Sequence, residues 1–371
     1  MSKIKVPFGN LKKQYLSIKT DIDKSIASII DSSSFIRGDD VKEFERRFAK
    51  ENNSENCISC GNGTDALYIS MKSLGIKNND EVIVPAMSWI STSETVTQSG
   101  GKVVFCDIDP KTYTLDANKI KSKITSRTVG IIAVHLYGHP SEMDKIQELA
   151  LKHGLWIIED CAQAHFAKYN NKFVGSFGVA ATFSFYPGKN LGAMGDAGAI
   201  ITNDKNLAIK MAKFSRHGGL NKHEHEIEGI NSRMDTIQAA VLNVKLNHIF
   251  EWTNKRQELA SRYNYGLASI ENIILPTQKN NVNHVWHLYV IQTNNRKDLA
   301  TYLSKKGIQT IVNYPTALPF LQCYESYSHR FEDFPVSYML QENALSLPLY
   351  PEMSNEQQEY VIDSINEYFK I

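Results

Sequence analysis

At 371 residues the chain exceeds one ordinary small domain, and a large domain joined to a smaller one is expected. Its 42% hydrophobic and 22% charged residues fit a globular protein with a substantial core. With 41 basic and 40 acidic residues the net charge is +1, which argues against nucleic acid or a membrane surface as a partner held by bulk charge.

The N-terminus, Met1-Ser2-Lys3-Ile4-Lys5-Val6, has no secretory apolar segment, and no later run approaches membrane-spanning length. A cytoplasmic location is expected. Cys57-Ile58-Ser59-Cys60 matches C-x-x-C, but no second Cys pair or spaced His pair completes a zinc site. It reads instead as small apolar residues leading into a loop, and no metal is expected. Gly61-Asn62-Gly63-Thr64-Asp65 then precedes a helical pattern. Gly63 and Thr64 at a helix N-terminus suit a phosphate; the same turn is also an ordinary cap.

Short apolar runs follow at Glu81–Val84, Val103–Asp107, Val129–Leu136, Leu155–Asp160, Ala181–Phe185 and Ala197–Thr202. Most are apolar on both faces, as strands between two helix layers must be. Helical patterns at Asp65–Leu74, Ser141–His153 and Leu207–Ser215 alternate with them. The alternation predicts an α/β domain with a mostly parallel central sheet and helices on both faces. Ligands of such sheets bind at the carboxyl ends of the strands.

Chemistry-bearing residues fall at those ends. Trp89 follows the first run and either stacks on a flat ring or fills the core. Asp160 closes the fourth run, with Gln163 three residues on; Ser184 closes the fifth, and Lys189 follows the turn Tyr186-Pro187-Gly188. An acid and a lysine so placed are what pyridoxal 5'-phosphate chemistry needs. The lysine holds the aldehyde as a Schiff base, and the carboxylate keeps the pyridine nitrogen protonated.

His217, His223 and His225 occupy a polar, glycine-containing loop, read as a lid or interface loop rather than a metal site. Gly229-Ile230-Asn231-Ser232-Arg233-Met234-Asp235 opens a helical stretch. Asn231 and Arg233 are either anion ligands or a cap and a surface charge. The stretch runs from Met234 to Ile270 with a break near Glu251. Val285–Gln292, a helix Arg296–Lys306, Ile308–Val312 and a helix Asn355–Phe369 predict a smaller C-terminal α/β domain. The boundary is set near residue 250, giving domains 1–250 and 251–371.

Several of these motifs together resemble the DegT/DnrJ/EryC1/StrS family of pyridoxal-phosphate-dependent sugar aminotransferases. They include Phe35-Ile36-Arg37-Gly38, Gly61-Asn62-Gly63-Thr64, Val134-His135-Leu136-Tyr137-Gly138-His139-Pro140 and Glu159-Asp160-Cys161-Ala162-Gln163-Ala164-His165. The resemblance continues through Phe183-Ser184-Phe185, Lys189, Gly229–Asp235 and Leu345-Ser346-Leu347-Pro348-Leu349-Tyr350-Pro351. It implies the aspartate-aminotransferase (fold type I) architecture. Lys189 would carry the Schiff base, Asp160 pair with the ring nitrogen, Gln163 meet the ring oxygen and Trp89 stack. Gly63, Thr64 and Ser184 would hold the phosphate, with Asn231 reaching it from the neighbouring subunit of a homodimer.

The resemblance also implies transfer of an amino group, usually from L-glutamate, to a keto-sugar nucleotide by way of pyridoxamine 5'-phosphate. Relatives with His in place of the lysine deoxygenate instead; Lys189 argues against that here. The stretch Tyr186–Asp196 is most similar to the branch aminating C3 of dTDP-linked 3-keto-6-deoxyhexoses. Amination at C4 and a non-catalytic regulator are the alternatives. Where many relatives have His-Tyr-Pro, this chain has Asn313-Tyr314-Pro315. Tyr186, Asn313 and Tyr314 are accordingly the candidates for touching the hexose.

Overall fold

The computed structural model describes residues 4–370 apart from Lys222. Twelve strands are described: β1 Asn56–Cys60, β2 Glu81–Pro85, β3 Lys102–Cys106, β4 Thr128–Val134, β5 Trp156–Asp160, β6 Lys168–Tyr169, β7 Lys172–Phe173, β8 Ala180–Ser184, β9 Gly198–Thr202, β10 Val282–Asn283, β11 Tyr289–Gln292 and β12 Ala344–Leu347. Seven form the central sheet in the order β1-β9-β8-β5-β4-β2-β3. Only β9 runs against the others, pairing antiparallel with both β1 and β8. All other neighbours pair parallel.

Alternation along these strands feeds two cores. On β2, Val82 and Val84 face one core and Ile83 the other; on β4, Ile132 and Val134 share the first side, Ile131 and Ala133 the second. The helix Met143–His153 covers the second side through Met143, Ile146 and Ala150. The helix Gly63–Leu74 covers the first through Leu67 and Met71. Gly130 on β4 is required where it stands: a Cβ there would lie 2.2 Å from the Trp156 ring on β5. A separate core gathers Val6, Leu259, Tyr263, Tyr289, Leu303 and Val361 around the β11–β12 pair.

The six predicted central runs correspond to β2, β3, β4, β5, β8 and β9 within a few residues. The predicted break near Glu251 lies instead at Asn247–His248, between helices Thr236–Leu246 and Ile249–Leu267. Cys57–Cys60, read as an approach to a loop, is strand β1. Cys57 packs on one core and Cys60 on another, so the two thiols face apart, and burial pushes both above the usual thiol range. Ile308–Val312 makes only isolated bridges, Val6 to Ile308 and Ile311 to Ser346. Among the described residues no helix is long and apolar enough to cross a membrane.

Candidate active site

The carboxyl ends of β1, β2, β4, β5 and β8 meet at one edge of the sheet, where a cleft of about 750 Å³ opens. Ten of the residues singled out in the sequence line it: Gly63, Thr64, Trp89, Asp160, Gln163, Ser184, Tyr186, Lys189, Asn313 and Tyr314. Asn231 does not. It is exposed, paired with Arg216 in an isolated antiparallel bridge beside the cleft-forming segments.

At the end of β1 the chain turns into the helix Gly63–Leu74, capped by Asn62, whose Oδ1 accepts from the Asp65 N–H at 2.8 Å. The first N–H groups of such a helix lack intrahelical partners and favour an anion. Hydroxyls surround them: Thr64 Oγ1 and Ser91 Oγ lie 2.6 Å apart, and Ser184 faces them from β8. A Cβ on Gly63 would come 2.7 Å from the Ser184 Cβ, so only glycine lets the two segments approach. Ser232 ties the Gly229–Asp235 segment to this cradle, accepting from the Gly61 N–H at 2.9 Å and donating to Asp65 Oδ2 at 2.6 Å.

At the end of β5, alternation separates two adjacent acids. Glu159 points into the protein, where its carboxylate accepts from the N–H groups of Gly175, Phe177 and Gly178 at 2.7, 2.7 and 2.8 Å. His135 completes that set. Its Nδ1 accepts from the Ser141 N–H at 3.0 Å, so its Nε2 donates to Glu159 at 3.0 Å. Cys161 lies beside this pair, but hydrogen bonds already engage the imidazole and carboxylate, leaving a poor metal site.

Asp160 faces the cleft, 7% exposed. Ala162 N–H donates to Oδ1 at 3.1 Å and Thr92 Oγ1 to Oδ2 at 3.2 Å. Burial nonetheless holds the carboxyl above its ordinary range, against the opposing pull of those donors and of Lys189. A carboxylate so desolvated fits a cationic ring nitrogen. Gln163 is fixed at both ends of its amide: Oε1 accepts from the Tyr137 N–H at 2.7 Å, and Nε2 donates to Tyr314 Oη at 2.8 Å.

Lys189 sits on the loop between the antiparallel strands β8 and β9. Its N–H donates to Tyr186 O at 2.8 Å, closing the Tyr186-Pro187-Gly188 turn. Burial pulls its ammonium down to about 8, with the negative charge of Asp160 acting in the other direction. The helix Thr236–Leu246 staples this loop: Lys245 Nζ donates to Gly192 O at 2.7 Å, and Gln238 Oε1 accepts from the Met194 N–H at 2.8 Å. Trp89, 58% exposed, and Tyr314 bring their rings to 5.7 Å at 45° across the cleft mouth. Ser346 Oγ donates to Asn313 Oδ1 at 2.9 Å, and Tyr137 Oη donates to the Asn313 carbonyl.

His287 and Arg256 also line the cleft and went unnoticed in the sequence. His287 lies in an aromatic run, and Arg256 in an amphipathic helix where an arginine reads as solvated. The His217–His225 loop shows an exposed His225 whose Nδ1 lies 2.8 Å from the His217 carbonyl.

A phosphate cradle, a buried carboxylate and a buried lysine with a lowered ammonium around one cleft define a site for an aldehyde cofactor with an acceptor ring. Residues 16–366 match the model of the DegT/DnrJ/EryC1/StrS aminotransferase family. The chain belongs to that family and is a pyridoxal-phosphate-dependent sugar aminotransferase. It is 40% identical to the dTDP-3-amino-3,6-dideoxy-alpha-D-galactopyranose transaminase of Aneurinibacillus thermoaerophilus, across 98% of this chain and 99% of that one. It is also 40% identical to a pleiotropic regulatory protein of Geobacillus stearothermophilus, across 98% and 99%. Its fold matches S. venezuelae DesV in complex with a ketimine intermediate, with a TM-score of 0.97, 37% identity and 99% coverage of both chains. Relatives named for UDP- and GDP-linked sugars match as well.

Proposed function

We propose that the enzyme moves the amino group of L-glutamate to C3 of a dTDP-linked 3-keto-6-deoxyhexose, giving the dTDP-3-amino-3,6-dideoxyhexose. The observation that carries the chemistry is Lys189, with its ammonium pulled down to about 8, on the same cleft as Asp160 and the Gly63–Ser184 cradle. The 40% identity to a 3-amino-sugar transaminase supports the position of amination and the nucleotide.

When bound, pyridoxal phosphate supplies an aldehyde for the amine and a ring that accepts electrons. Gly63, Thr64 and Ser184 would hold its phosphate. Asp160 would keep the ring nitrogen protonated, Gln163 would meet the ring oxygen, and Trp89 would stack on the ring. Lys189 Nζ would carry the proton from the α-carbon of glutamate to the cofactor's C4′ carbon in one half-reaction, and from C4′ to C3 of the sugar in the other. Tyr186, Asn313 and Tyr314 contact the hexose.

Two copies form the working unit in this reading, Asn231 of each reaching the other's phosphate site. Phe35, Ile36, Leu220 and Ile227 are 44%, 51%, 37% and 47% exposed. Ile36 pairs with Asp235, so part of this apolar surface adjoins the Asn231 segment. Sedimentation of the full chain is expected to give a dimer.

The deciding experiment offers the enzyme glutamate with a dTDP-3-keto- or a dTDP-4-keto-6-deoxyhexose and locates the new amine by NMR. Amination at C3 is the expected result; amination only at C4 overturns the regiochemistry. Lys189→Ala is expected to abolish turnover while the thermal midpoint holds. Added glutamate is expected to convert the visible absorbance to that of the pyridoxamine form; a silent spectrum would count for a regulator.

A further inference from the structure

No step above uses His287, although it faces the same cleft as Lys189. Its backbone is held from three directions. Val285 N–H donates to Gly138 O at 3.1 Å and Leu288 N–H to Tyr137 O at 3.3 Å. Trp286 N–H donates to His284 Nδ1 at 2.9 Å. Arg256 Nη1 donates to the carbonyls of Trp286 and His287 at 3.2 and 3.4 Å. The imidazole is therefore positioned by the same Tyr137-Gly138 segment that fixes Gln163.

The side chain beside Lys189 in sequence determines the imidazole's tautomer. Asn190, 3% exposed, donates from Nδ2 to Val285 O at 3.0 Å. That bond fixes which end of the amide is nitrogen, so Oδ1 is the end turned to His287 Nδ1, 3.1 Å away. Oδ1 can only accept, so Nδ1 carries the proton and Nε2 keeps a lone pair. Burial, then the charges of Lys189 and Arg256, push His287 well below its ordinary range. The imidazole thus stays neutral. Burial likewise pulls His165 down to about 3, so it offers no competing charge at neutral pH.

We propose that His287 is a positioning residue for Lys189: Asn190 holds the imidazole in its Nδ1–H form, and Nε2 accepts a hydrogen bond from the lysine ammonium. This rests on the reading of Lys189 as the proton carrier. Each time Lys189 takes up a proton it becomes an ammonium inside a partly dry cleft and needs an acceptor aimed at it. A neutral nitrogen supplies one without trapping the proton as a second carboxylate would.

The test titrates Lys189 in the full chain freed of cofactor, by competitive amine labelling read by peptide mass spectrometry. An acceptor for the ammonium favours the charged form, so its loss lowers the lysine midpoint. His287→Asn keeps a donor toward Asn190 but has no atom at the Nε2 position. It is expected to lower the midpoint by about one unit, or about fivefold more free amine at pH 7 from a parent midpoint of about 8. His287→Gln, whose amide reaches that position, is expected to stay close to the parent. His287→Phe is expected to reproduce the shift if His287→Asn does not fold. An unchanged midpoint in the variants lacking the acceptor, or equal shifts in His287→Asn and His287→Gln, overturns the proposal. No sugar enters this measurement, so its failure is distinct from a failure of the substrate reading in the NMR assay.

Discussion

Asp160 and Glu159 are neighbours in sequence with opposite accounts at the residue scale. Glu159→Ala leaves three backbone N–H groups and the His135 Nε2–H without an acceptor. The expected cost is about 3 kcal/mol or more, read as a drop in the urea midpoint. Asp160→Asn is expected to do the reverse in the cofactor-free chain. Its folded-state carboxyl lies above the ordinary range. The charged form therefore destabilises the fold increasingly as pH rises from the ordinary carboxylate range through that raised value. Asp160→Asn should melt higher than the parent at neutral pH, with the difference vanishing below about pH 4, where both states are protonated. Its turnover should fall at the same time, a site residue held at the expense of stability. Gly63→Ala is expected to weaken cofactor binding at least about tenfold with little change in the fold, because Ser184 must move to admit the new Cβ. Fluorescence titration with pyridoxal phosphate measures it.

These residues were legible because strand periodicity marks where a run ends, and chemistry concentrates there. Asp160, Ser184 and Trp89 all follow runs whose apolar pattern is plain. His287 was not legible. Its role depends on Asn190, which meets it only through the fold.

At the scale of elements, Asp107 shows how the C-terminal segment is fastened to the sheet. It lies just past β3, yet its Oδ1 accepts from the Ser337 N–H at 3.0 Å and Oγ at 2.7 Å. Its Oδ2 accepts from the Val336 N–H at 3.2 Å and from Lys119 at 2.9 Å. It thereby caps the helix Pro335–Asn343 from the other end of the sequence. Those donors hold its carboxyl below the ordinary range although burial alone would raise it. Its contribution is present at neutral pH and is lost as pH falls below about 4, through the depressed folded value. Asp107→Ala is expected to cost about 2 kcal/mol, measured by urea unfolding.

No local pattern announces this cap, since its partners are over two hundred residues away. The same holds for β1, whose Asn56-Cys57-Ile58-Ser59-Cys60 is too short and mixed to read as a strand until β9 lies beside it. Ser91–Gln98, helical here, is rich in serine and threonine, and tertiary contacts overrule its weak propensity. The closing helix Asn355–Phe369 was legible to the residue, because Ser354 and Gln357 form a capping box at its start.

Across the whole molecule, the cleft gathers residues from the ends of five strands of the central sheet, the Lys189 loop and the segments carrying Asn313 and Tyr350. A ligand held by all of them stabilises the folded chain as a unit. Pyridoxal phosphate at a hundredfold excess over its dissociation constant is expected to add about 2.7 kcal/mol. A single cooperative shift in calorimetry is the expected form; a separate, unshifted second transition would show that the C-terminal core melts independently.

Val6 supplies a last consequence. It belongs to the core built around β11 and β12, and its N–H donates to Gly307 O at 3.0 Å while its carbonyl accepts from the Gln309 N–H at 2.9 Å. The segment around Val6 therefore cannot dock until the segment around Gly307 and Gln309, about three hundred residues later in the chain, has been made. Stalled nascent chains ending before residue 300 should leave the Val6 segment open to protease, while released full chains should protect it.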